Sequence, residues 1–220
     1  MTSHWRQQAE MEHASVAAFA RFVLELLSLG APPELVTAAT DALADETAHA
    51  RICYALASAY AGQALGPAKL DVTGALQDSS LEGIVMRAVL EGCVGETLAA
   101  IEASEAASHA ADKLLRSALS RIAEDEARHA ELSWRFLRWA LSLGGSALRS
   151  AVQRAFREAE SRLASSLMIH PSAEPATEAE LRAHGVLSPA RSAQLARQVF
   201  DAVVRPCASA LSARAAAWPA

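Results

Sequence analysis

The chain has 220 residues, 52% hydrophobic and 5% aromatic, with a net charge of −5. That suffices for one sizeable core with an appended segment, and the dominance of Ala and Leu without strand-like alternation predicts an all-α protein. No apolar run reaches the roughly 18 residues of a membrane span, and Glu10, Glu12 and His13 interrupt any signal pattern at the N-terminus, so a cytoplasmic protein with no membrane partner is the default expectation.

Cys53, Cys93 and Cys207 form no Cys-x-x-Cys pair, which argues against a disulfide framework or a thiolate zinc site. Charge is uneven: residues 1–143 carry 11 basic and 19 acidic side chains, and residues 144–220 carry 9 and 6. A tail so mildly basic is far from a nucleic-acid footprint.

A first helix is expected over about residues 3–29, with a core stripe at positions 16, 19, 20, 23, 26 and 27. Gly30 and Pro32-Pro33 end it and start a second helix, over about 33–61. The stretch 62–78, with Gly66-Pro67 and Gly74, is long enough to cross from one end of a bundle to the other. A third helix opens on a capping box, Ser79 three residues before Glu82, and reaches about 108; a fourth covers about 112–143 and stops at Gly144-Gly145.

Two short connections around one long crossover predict a ferritin-like four-helix bundle over residues 1–143. Residues 144–220 read as a helical extension packed on that bundle. It holds a helix over about 146–169 carrying Arg149, Arg154, Arg157 and Arg162, then a break at His170-Pro171 and Pro175. A short helix follows, opened by Thr177-x-x-Glu180 and closed by Gly185, and then a last helix capped by Ser188-Pro189 and interrupted by Pro206.

The chemistry is carried by a phrase that occurs twice, eighty positions apart: Asp45-Glu46-Thr47-Ala48-His49-Ala50 and Asp125-Glu126-Ala127-Arg128-His129-Ala130. On a helix, i and i+3 share a face, so each Glu-x-x-His aims a carboxylate and an imidazole at one place. A Glu on the preceding helix would complete each set. In the first helix Glu12 shares a face with Ser15, Val16, Phe19 and Val23, whereas Glu10 sits with Arg6 and Glu25 lies near the helix end. In the third, Glu96 aligns with small residues (Gly92, Ala99, Ala100), whereas Glu91 follows Arg87 by one turn; Glu96 is the choice and Glu91 the alternative.

The predicted metal ligands are thus Glu12, Glu46, His49, Glu96, Glu126 and His129. Four carboxylates in a low-dielectric core must protonate or find cations, and two divalent ions balance them. Carboxylate with imidazole suits iron or manganese and does not separate them; Fe/Fe is the expectation, with Mn/Fe and Mn/Mn as alternatives.

The paired motifs, with Glu12 and Glu96, resemble the ferritin-like di-iron carboxylate superfamily, which includes bacterioferritin, rubrerythrin, the ribonucleotide reductase small subunit and bacterial di-iron hydroxylases. The resemblance covers about residues 5–140. It implies that Glu46 and Glu126 bridge or chelate the irons, that His49 and His129 bind one each, and that Asp45 and Asp125 orient ligand histidines. Tyr54 and Trp134, each five residues after its His, are either electron-relay sites or bulky core residues. The Gly-rich third helix (Gly83, Gly92, Gly95) implies either close helix packing or space left for a substrate or an irregular turn near the site.

The function implied is an O2-activating oxidoreductase, an oxygenase or hydroxylase acting on an organic small molecule that the sequence does not identify, with an unidentified electron donor. The alternative is a ferroxidase or peroxide-reducing protein whose partner is ferrous iron or peroxide. Further alternatives are a tRNA-modifying hydroxylase, supported only by the arginine stripe, and a metal-free helical interaction module. Oligomeric state stays open, with a homo-oligomer among the options.

Overall fold

In the computed structural model, the described residues are 1–166 and 177–216; they are helical with no strand among them, and no helix is long and apolar enough to cross a membrane. The break at His170-Pro171 and Pro175, and the end of the helix expected to reach 169, lie outside the described residues. The chain divides into two compact units, Met1–Ser79 and Ser80–Ala220.

The first unit is a helical hairpin of α1 (Thr2–Ser28) packed along α2 (Pro33–Ala61). Gly30 makes the turn at φ 64°, a left-handed conformation that a Cβ disfavours, and Pro33 opens α2 where a missing N–H does no harm. Gly62 closes α2 at φ 66°. The buried stripe of α1 is Trp5, Ala9, Phe19, Phe22, Glu25 and Leu26. The expected stripe was therefore rotated too far toward Leu27, which is exposed, and it missed the N-terminal turns. Glu25, buried despite its charge, is held by Arg21 one turn earlier at 3.5 Å.

The second unit begins with a single run of helix in three parts: α3 (Leu81–Arg87), a π-helical segment (Ala88–Glu96) and α4 (Thr97–His109). Its cap lies one residue later than expected. Ser80, not Ser79, accepts the N–H of Gly83, because the Ser79 hydroxyl donates instead to the Leu76 carbonyl. The run packs on α5 (Lys113–Leu143), whose first turn is capped by the Asp112 carboxylate at 2.8 Å from both Leu114 N and Leu115 N.

Residues beyond Leu143 pack on these same helices. α6 (Ser146–Ser166) lies on the π segment, and its Phe156 stacks on Trp134 of α5 with centroids 5.4 Å apart. α7 (Glu178–Ala183) has the expected capping box between Thr177 and Glu180 and docks through Ala111 N to Ala183 O at 2.9 Å. α8 (Pro189–Val199) is capped by Ser188 and pinned to α4 by Arg191 on Glu105 at 2.9 Å. A second π turn (Phe200–Val204) then joins it to α9 (Arg205–Ala216). That widened turn lies where Pro206, lacking an N–H, cannot bond the Ala202 carbonyl.

Candidate metal centre

Each unit carries its own cluster of two glutamates and one histidine. In the first, one ligand atom from each of Glu12, Glu46 and His49 lies within 4.8 Å of the others. The His49 Nδ1 is 3.7 Å from Glu12 and 3.9 Å from Glu46, too long for hydrogen bonds and suited to donors converging on a common point. Glu46 is 1% exposed and His49 fully buried, while Glu12 is half-buried.

In the second unit the same is true of Glu96, Glu126 and His129, again with ligand atoms within 4.8 Å of one another. Here the His129 Nδ1 lies 3.2 Å from Glu126, and both are buried. In both clusters Nδ1 is the ring atom that approaches the carboxylate, and the repeated Glu-x-x-His spacing puts the two side chains on one helix face.

The competing carboxylates lie elsewhere. Glu10 is exposed and pairs with Arg6 at 3.5 Å; Glu91 is exposed on the π segment; Glu25 is engaged by Arg21 near the end of α1. Asp125 is buried and held by two arginines of its own helix, Arg128 at 2.5 Å and Arg121 at 3.6 Å. Two cations beside it stabilise its charged form.

The π segment ends on Glu96. Both explanations for its glycines apply: the helix is irregular there, and at Gly92 it also approaches α5 closely, against Ser133. Ser133 donates in turn to the His129 carbonyl at 3.2 Å. The irregular turn is thus seated one turn from a candidate ligand, the placement that π-bulges favour. The glycines were its only signal in sequence.

Tyr54 and Trp134 hold equivalent sequence positions in different surroundings. Trp134 is half-buried against Phe156. Tyr54 is buried on α2, and burial first, then the charge of Glu10, raises its pKa above the ordinary phenol value. Its phenol therefore stays protonated at neutral pH. Cys53 and Cys93 are buried, and neither belongs to a cluster. Of the arginine stripe, Arg154 pairs with Glu82 and Arg162 with Glu158.

The donors fit a hard or borderline cation. They are carboxylate oxygens and imidazole nitrogens without thiolate, gathered where uncompensated charge is expensive. No protein-family model matches the chain, and no curated protein or solved structure matches it.

Proposed function

We propose that the two clusters bind two metal ions, that the bundle is ferritin-like, and that the protein is an oxidoreductase activating O2 to oxidise a small organic molecule. What carries the reading is the duplication. A buried Glu-x-x-His, joined by a half-buried Glu from the preceding helix, is built twice. A single Glu-x-x-His pair means little, because both residues are common on helix surfaces.

In this reading Glu12, Glu46 and His49 hold one ion, and Glu96, Glu126 and His129 hold another. When bound, an iron or manganese pair supplies Lewis acidity and redox equivalents for O2 chemistry. The chain itself does two things. It presents carboxylates that neutralise the cations, and it fixes both imidazoles by burial, which also keeps bulk water from them. Asp125, clamped by Arg121 and Arg128, supplies a fixed negative charge beside Glu126.

The alternative is iron oxidation or peroxide reduction with the same ligands. Loading the chain with two equivalents of ferrous iron and then adding an excess under air separates the two. An organic oxidase is expected to stop after the loaded iron has reacted, whereas many turnovers of added ferrous iron per site would establish a ferroxidase. The tRNA reading is weakened because Arg154 and Arg162 are already engaged by carboxylates of the chain.

A further inference from the structure

A groove of about 470 Å³ opens on the first unit. Its floor and walls are Val16 of α1, Ala50 and Ala55 of α2, and Leu65 and Pro67 of the following connection. Its size falls in the about 300–1,000 Å³ range of small-molecule sites. His13 and Ala50, the sequence neighbours of Glu12 and His49, line it, and no candidate ligand does.

The far wall is held in place. The Ser58 hydroxyl donates to the Tyr54 carbonyl at 2.7 Å and accepts Leu65 N at 2.9 Å, which clasps the start of the connection to α2. The groove is thus a built feature of the hairpin.

Its polar groups are few, and two of them are uncommitted. Arg51 lines it and makes no ion pair or hydrogen bond with another described residue. Tyr54 also lines it, is 9% exposed, and its hydroxyl bonds to no described residue. The remaining polar groups on the lining are His13 and Thr47, and the Thr47 hydroxyl is spent on the Leu43 carbonyl at 3.0 Å. Glu10, whose charge acts on Tyr54, is paired with Arg6. A mostly apolar trough with one unpaired guanidinium and one unpartnered phenol fits an apolar body ending in an anion that accepts hydrogen bonds.

We infer that this groove binds a monocarboxylic acid with an apolar body, its carboxylate on Arg51 and the Tyr54 hydroxyl and its hydrocarbon against Val16, Ala50, Leu65 and Pro67. The inference does not depend on metal.

The test is calorimetric titration of the full-length, metal-free chain with decanoate and with decanol. One saturable site per chain for decanoate, with decanol at least about fivefold weaker, is expected. Arg51→Ala should weaken decanoate at least about fivefold and leave decanol unchanged, and Arg51→Lys should retain most of the affinity. Tyr54→Phe should weaken decanoate by a smaller factor, with the helical signal intact.

Absence of a saturable site, or equal binding of decanol and decanoate by the native chain and by Arg51→Ala, would overturn the inference. Decanoate binding by a chain that takes up no metal would uphold the groove while removing the di-metal reading. Metal uptake without decanoate binding would do the reverse.

Discussion

Gly92 of the π segment lies against Ser133 of α5 so closely that a Cβ on the glycine would sit 2.0 Å from the serine Oγ and 2.5 Å from its Cβ. No rotamer of Ser133 relieves the second contact. Gly92→Ala is expected to destabilise the protein by about 1–3 kcal/mol through overpacking, even though Ala is the better helix former. Ser133→Gly in the same chain should recover much of that loss. Denaturant unfolding of both single variants and the double variant measures the coupling, and additive losses would deny the contact.

The cluster residues make a sharper set. Glu46→Ala and His129→Ala should each abolish tight metal uptake, whereas Glu10→Ala and Glu91→Ala, both at exposed positions, should leave it unchanged. Equilibrium dialysis with ferrous or manganous ion, followed by elemental analysis, reads all four. Uptake lost in Glu10→Ala but kept in Glu12→Ala would reassign the ligand of α1.

Arg191 holds the Glu105 carboxyl below the ordinary carboxylate range, chiefly by hydrogen bonding to it. A depressed carboxylate contributes stability above its ordinary value and loses that contribution as pH falls through the folded value. Arg191→Ala should therefore give a small destabilisation at pH 7 that fades by pH 3. Thermal melts across that window check it; an equal deficit at both ends would mean that packing, not the ion pair, was lost.

Glu102 on the same helix shows the opposite sign. Burial raises its pKa, opposed by a hydrogen bond from Ser192. A raised carboxylate binds its proton more tightly in the folded state, so ionising it weakens the fold as pH rises through the ordinary value. Glu102→Gln should stabilise the protein at pH 7 and leave it nearly unchanged at pH 3.5. Equal melting of variant and native chain at pH 7 would contradict this.

Periodicity and punctuation made the helices legible before any coordinates. Pro33 and Gly62 bracket α2, Asp112 starts α5, and the Thr177–Glu180 box opens α7, because each signal is a local backbone requirement. The grouping of Glu12 with Glu46 and His49, and of Glu96 with Glu126 and His129, was readable from helical spacing and from which carboxylates lacked a nearby cation. What could not be read depends on tertiary packing. The rotation of α1 that buries Glu25 and exposes Leu27 is set by its partner helix. The stacking of Trp134 on Phe156 joins residues of different helices, and the groove on the first unit needs Ser58 to clasp the connection that follows α2, a contact that local sequence does not signal. The π segment left a trace only in its glycines, which fit two explanations equally until Gly92 is seen against Ser133.

The most direct measurement is metal content per chain after anaerobic loading with ferrous or manganous salt and removal of excess, with circular dichroism on the same sample. The account predicts about two ions per chain held by a helical protein, and loss of both in Glu46→Ala. A fully helical chain that retains no metal under these conditions would contradict it and leave the two buried clusters without the cations their charge requires.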